Sequence, residues 1–201
     1  MLPKGSFATL ANGFQFHYHD GGQGDVVLFL HGSGTGASGF TNFKKNIDFF
    51  QRNGFRTIVP DLPGYGFSDK PEDEIYTMSF FNNLLLELLD HLNITNCYVV
   101  GNSLGGALAM GLSLEQPKRF SKLILMAPGG LEDFNAYQEM PGIKKLLGDF
   151  LGGEMNQEKI EGLLKLFPYD PSFVTKDIIE DRMEILPLMN QQVLASMDIP
   201  N

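Results

Sequence analysis

One stretch constrains the chain more than any other: Asn96-Cys97-Tyr98-Val99-Val100-Gly101-Asn102-Ser103-Leu104-Gly105-Gly106, an apolar run that passes through a small-residue turn into a helical pattern. Tyr98 to Val100 is aromatic and β-branched, as a strand requires. The small-residue run from Ala107 to Leu114 suits a helix packed closely on that strand. A Ser between two glycines at plus and minus two, on so tight a turn, is the pattern of a nucleophile elbow. Gly101 and Gly105 are needed there because a Cβ would collide with the neighbouring strand or helix. The turn lifts the Ser103 hydroxyl clear of the sheet and sets it at the positive end of the helix starting at Leu104. A plain Gly-rich connection is the alternative, and the flanking strand and helix patterns count against it.

Composition limits what this turn can serve. The 201 residues are 43% hydrophobic and carry a net charge of −9, enough for one sizeable domain and wrong for a nucleic-acid partner. An anionic small substrate would need a local cation. The start of the chain has no apolar run long enough for a signal sequence, and nowhere do 18 apolar residues follow one another. The expectation is a soluble cytoplasmic protein with no membrane partner. Cys97 is the single cysteine, so it can form neither an internal disulfide nor a thiolate cluster, and its place in the strand suggests a buried, inert thiol.

In chain order, Asn12-Gly13 is a hairpin signal joining residues 6–10 to the alternating stretch 14–19. His17 and His19 are expected on an exposed strand face, not at a metal site. Residues 26–30 form a continuous apolar strand of the kind buried on both faces. It delivers His31-Gly32-Ser33-Gly34-Thr35-Gly36, three glycines in six residues. Such a loop lets backbone N–H groups approach a ligand, which fits an oxyanion hole. A phosphate cradle competes, but neither nucleotide-binding glycine pattern is completed. His31 at the root of the loop is expected to brace it, with a general-base role as the alternative. Phe40, Phe43, Ile47 and Phe50 predict a crossover helix stopped by Gly54, residues 55–59 a strand, and the leucines from Leu84 to Leu92 a helix beginning near Ser79. Residues 123–126 are one more strand. The alternation predicts an α/β fold with a mostly parallel sheet, antiparallel opening strands and a ligand site at the carboxyl ends of the strands. Beyond residue 130 only helical patterns follow, at 143–151, 157–167, 172–186 and 189–197, so the expected division is a core, 1–130, and an inserted helical cap, 131–201.

These features together resemble the α/β-hydrolase superfamily, and within it the meta-cleavage product hydrolases, which split carbon–carbon bonds in vinylogous diketones made by aromatic ring opening. The likeness rests on His31-Gly32-Ser33-Gly34-x-Gly36-Ala37, the segment from Gly39 to Asn42, Asp61-Leu62-Pro63-Gly64-Tyr65-Gly66-x-Ser68, the elbow itself, and Leu123-Ile124-Leu125-Met126-x-Pro128-Gly129-Gly130. It implies Ser103 as nucleophile or activator of water, and the N–H groups of Ser33 and Leu104 as the oxyanion hole. Substrate would meet Gly32, Gly34, Asn42 and Asn102. In the cap, Phe167 would supply an aromatic wall and Arg182 the cation for a dienoate carboxylate or ketone; both have bland alternatives, ordinary packing and a solvated helix charge. Thr35 stands where the family usually has Pro. No metal or other cofactor is implied. Relatives assemble as dimers or larger, which leaves a homo-oligomer open.

One departure is serious. The superfamily's order is Ser, then Asp or Glu, then His, whereas His17, His19, His31 and His91 all precede Ser103. Asp133 could stand in for the acid, but nothing after the elbow replaces the imidazole. The expectation is a C-terminally incomplete fold ending in an unpaired apolar strand edge, severely impaired as a catalyst. A small-ester carboxylesterase and a non-catalytic ligand-binding remnant are the competing readings. An Asp-nucleophile dehalogenase is disfavoured by the Ser.

Overall fold

The computed structural model describes residues 2–132, 134–151 and 155–188. Six strands form one sheet in the order β1-β2-β4-β3-β5-β6. Strands β1 (Ser6–Thr9) and β2 (Gln15–Gly21) are the antiparallel opening hairpin, and β2 also runs antiparallel to β4 (Phe55–Pro60). From there β4, β3 (Asp25–Leu30), β5 (Cys97–Asn102) and β6 (Phe120–Met126) are parallel to one another. The helices α1 (Gly39–Arg52), α2 (Met78–His91) and α3 (Leu104–Glu115) are the crossovers.

Alternation along β3 explains the layering. Val27 and Phe29 point to one face and pack with Phe43 and Ile47 of α1, while Leu28 and Leu30 point to the other and join Leu85, Leu88, Leu108 and Leu112 of α2 and α3. A strand buried on both faces has to be apolar throughout, which is why this one is. The helix ends are set locally. Ser38 caps α1 through a capping box with Thr41, Gly54 follows its end at φ +82°, and Thr77 caps α2 by accepting from Phe80 N–H.

Parallel pairing puts Leu30 opposite Gly101. The glycine loop after β3 and the Ser103 turn after β5 therefore leave the sheet side by side at its carboxyl edge, where a parallel sheet places its ligands. Strand β6 is an edge strand: among the described residues nothing pairs with its far side, and Ile124, Leu125 and Met126 are exposed. The apolar edge expected from the sequence lies here.

After β6 come α4 (Phe134–Glu139), α5 (Pro141–Leu151), α6 (Gln157–Leu164) and α7 (Lys176–Ile185). Helix α4 is not foreseen by the sequence pattern. The helix expected over 172–186 is divided, with a 3₁₀ turn at Pro171–Phe173 and α7 beginning only after Thr175. The helix expected at 189–197 and Asp133 lie outside the described residues.

The largest correction concerns His17. It is 3% exposed, not on a solvated face, and its Nδ1 lies 2.7 Å from Asp61 Oδ2. Asp61 also accepts from Gly39 N–H and Phe67 N–H. Burial alone would push this carboxyl up, but His17 and the Phe67 N–H outweigh it and hold it below its usual range. No helix among the described residues is long and apolar enough to cross a membrane.

Candidate active site

Ser103 sits between the last residue of β5 and the first of α3 with φ +54° and ψ −115°. It is one of three non-glycine residues at positive φ among the described residues, a conformation that L side chains adopt only when the surroundings impose it. Its N–H donates to Met126 O at 3.0 Å, and its carbonyl accepts from Gly106 at 2.9 Å, Gly129 at 3.0 Å and Ala107 at 3.1 Å. Both glycines of the motif are required sterically. A Cβ at Gly101 would lie 2.4 Å from Gly105 O, and one at Gly105 would lie 2.0 Å from Leu30 O.

The glycine loop is packed against this turn. A Cβ at Gly32 would come within 3.1 Å of Ser103 Cβ and 3.4 Å of Asn102 Nδ2, so Gly32, Asn102 and Ser103 meet. Leu104 opens α3, where the first N–H groups have no acceptor inside the helix. Gly105 N–H goes to His31 O and those of Gly106 and Ala107 to Ser103 O, so in α3 it is Leu104 N–H that, with the amides of the glycine loop, is available to a developing oxyanion.

His31 is fully buried and both ring nitrogens are engaged. Nε2 accepts from Leu62 N–H at 2.9 Å, so Nδ1 carries the proton and donates to Gly32 O at 2.8 Å. Burial pushes its pKa down to about 4. This imidazole braces the loop and has no lone pair left for a serine proton. Tyr65 adds a second brace, its hydroxyl hydrogen-bonded to the Ser33 side chain and its ring edge-on to His31 at 5.2 Å. Neither the Tyr65 brace nor the His17–Asp61 pair follows from local pattern; the one signal is Tyr65 itself, an aromatic held between two glycines in the loop after β4.

From above, α7 lies on the same loop. A Cβ at Gly36 would meet Arg182 O at 2.5 Å. Arg182 is 8% exposed; its Nη1 donates to Thr35 O at 3.2 Å and its Nη2 to Asn42 Oδ1 at 3.4 Å. Its Nε–H and Asn42 Nδ2 are buried without a hydrogen-bond partner, and burial alone lowers its pKa to about 10. The solvated alternative for Arg182 is therefore excluded. Gly34, Asn42 and Arg182 are brought together, whereas Phe167 stands apart at 67% exposure in the turn after α6. Thr35 keeps the carbonyl that Arg182 uses. Among the described residues no group of three His, Cys, Asp or Glu side chains could hold a metal ion.

The chain is similar to known proteins in sequence and in fold. A family model described as the alpha/beta hydrolase fold matches residues 25–157. The 2-hydroxy-6-oxo-6-phenylhexa-2,4-dienoate hydrolase of Burkholderia cepacia is 38% identical over 171 residues, 84% of this chain and 59% of its own. A 2-hydroxy-6-oxononadienedioate/2-hydroxy-6-oxononatrienedioate hydrolase of Comamonas testosteroni is 37% identical over the same shares. Among solved structures, a serine-to-alanine variant of the meta-cleavage product hydrolase from Pseudomonas fluorescens IP01, complexed with acetates, superposes with a TM-score of 0.79 at 30% identity, over 96% of this chain and 66% of that one. The chain thus spans about 59% of the length of these curated relatives. With the strained serine, the glycine loop beside it and the match over 25–157 in agreement, the chain belongs to the alpha/beta hydrolase fold family.

Proposed function

We propose that the chain is the substrate-binding and nucleophile-bearing part of a serine-type hydrolase of 2-hydroxy-6-oxo-2,4-dienoates. In this reading water adds to the 6-oxo ketone and the adjacent carbon–carbon bond breaks, with residues 1–130 as core and 131–201 as cap. Ser103 is the nucleophile or the group that activates water, Ser33 and Leu104 N–H stabilise the oxyanion, and Gly32, Gly34, Asn42 and Asn102 line the approach. Arg182 receives the dienoate carboxylate, and Phe167 belongs to the cap's aromatic surface. The observation that carries the reading is a buried guanidinium with an unpartnered N–H, seated on the loop that touches Ser103. A buried charged donor left unpaired is costly, and a substrate carboxylate removes that cost. The two curated relatives are dienoate hydrolases by name, and the solved relative holds acetates.

Neither His31 nor His17 serves as the proton acceptor in this reading. His31 has both nitrogens engaged, and His17 is tied to Asp61. A serine hydroxyl without a base is a weak nucleophile. Loss of a triad member leaves about 10³ to 10⁴-fold enhancement out of roughly 10⁶ or more, so these 201 residues should bind a dienoate and turn it over very slowly. The test is a calorimetric titration with sorbate, a simple dienoate, in the wild type and in Arg182→Gln, together with ring-fission dienoate and p-nitrophenyl ester turnover. Sorbate binding weakened at least tenfold by Arg182→Gln supports the reading. Equal binding by the two proteins, or esters consumed far faster than dienoates, refutes it.

A further inference from the structure

Arg182 shares α7 with four carboxylates, Asp177, Glu180, Asp181 and Glu184, and no ion pair joins it to Asp177 or Asp181. Asp177 and Asp181 are four residues apart, on one face of the helix, and both turn to Lys44 of α1. Lys44 Nζ is 2.7 Å from Asp177 Oδ2 and also bonds Asp181 Oδ2. The side chains of Lys44 and Asp181 are only 14% and 13% exposed, whereas that of Asp177 is 56% exposed. The Lys44–Asp181 pair is therefore largely out of water, where charge interactions are screened least. Burial would push the Lys44 ammonium down, but its bonds to Asp177 and Asp181 more than offset this and raise it. The four formal charges on Lys44, Arg182, Asp177 and Asp181 cancel. Without Lys44 the other three would leave one net negative charge on the helix that carries Arg182.

We propose that Lys44 is a positioning residue for this carboxylate site: by neutralising Asp181, and Asp177 more weakly, it keeps the Arg182 guanidinium available to a ligand anion. This rests on the reading that Arg182 receives the substrate carboxylate. Lys44 itself touches no substrate; it acts through the two aspartates. The expected size follows from Coulomb's law: at an effective dielectric of about 20, a unit charge changes affinity roughly tenfold from about 12 Å away.

The experiment uses the intact chain, with calorimetric titration by sorbate and by its uncharged amide. Lys44→Met should weaken sorbate binding about tenfold and leave the amide unchanged. Lys44→Arg should bind sorbate like the wild type, and Lys44→Met with Asp181→Asn should recover most of the loss, which a lost mechanical tether between α1 and α7 would not allow. Should Lys44→Met fail to fold, Asp181→Asn alone provides the measurement, with sorbate binding tightened about tenfold. Sorbate affinity unchanged in Lys44→Met, no recovery in the double variant, or no tightening in Asp181→Asn overturns the proposal. If these appear while Arg182→Gln still abolishes binding, only the role of Lys44 falls. If the wild type binds no sorbate, or Arg182→Gln binds it equally, the Arg182 reading falls and the role of Lys44 with it.

Discussion

Replacing Ser103 by glycine should make the protein more stable. The residue is held at φ +54°, ψ −115°, and a side chain kept in a sparsely populated region costs about 1–3 kcal/mol. Its hydroxyl makes no capping bond to α3, so removing the side chain forfeits little contact. Glycine relieves the strain but adds freedom to the unfolded chain, worth about 0.4–1 kcal/mol in the opposite direction. The net expectation is a gain of about 1 kcal/mol, or roughly 2–4 °C in Tm for a chain of this size. Ser103→Ala is the reference, because it removes the hydroxyl and keeps the Cβ that causes the strain. Urea titrations followed by circular dichroism on both variants, at equal m-values, isolate the backbone contribution. At ordinary backbone a glycine would be the less stable of the two. If Ser103→Gly unfolds at or below the urea midpoint of Ser103→Ala, the turn is not strained and the steric account of the elbow is wrong.

Two further outcomes follow from the geometry. Gly105→Ala places a Cβ 2.0 Å from Leu30 O and 2.8 Å from His31 O; both are backbone atoms that cannot rotate away, so the loss should be at least about 3 kcal/mol. Gly148→Ala inside α5 meets nothing within 4 Å and should gain about 0.5–1 kcal/mol; similar urea midpoints for the two variants would refute the steric argument. For His31, the folded pKa of about 4 lies below the ordinary 6.5, so the neutral ring contributes fully above pH 6.5. As pH falls from 6.5 to 4 the unfolded chain takes up a proton that the folded one refuses, and about 3 kcal/mol is lost. His31→Gln should lack that slope, and parallel stability–pH curves for the two proteins would exclude it.

What could be read from the sequence was what is local. The elbow, the apolar β3 run and the stop at Gly54 are each decided within a few residues. The burial of His17 was hidden because its partner Asp61 is 44 residues away and the alternation along β2 makes that face look merely polar. The same holds for Lys44, whose bond to Asp181 spans 137 residues. Arg182 could be read either way from its acidic neighbours; only the packing of α7 on Gly36 shows that its charge is buried. The division near Thr175 was missed because the 3₁₀ turn and α7 share one apolar spacing, and the short α4 presents too little periodicity to register.

On the proposed function, the glycine loop is what would let binding and turnover be separated in this chain. Three glycines in six residues would make a floppy segment by themselves, yet this one is tied on several sides. The His31 ring links Gly32 O to Leu62 N–H, Tyr65 bonds Ser33, Ala37 N–H closes on Gly34 O at 3.0 Å, and Arg182 bonds Thr35 O. All of these partners lie within the described residues, and none depends on a proton acceptor for Ser103. Oxyanion donors act by being fixed before charge develops, so on the proposed function the ties that fix this loop keep that contribution whatever serves Ser103 as a base. A variant that cuts one tie, such as Tyr65→Phe, should therefore loosen amide exchange at residues 32–36 and leave that of residues 26–30 in β3 unchanged. Equal protection of the loop in wild type and variant would mean that the glycines are held by something other than these bonds.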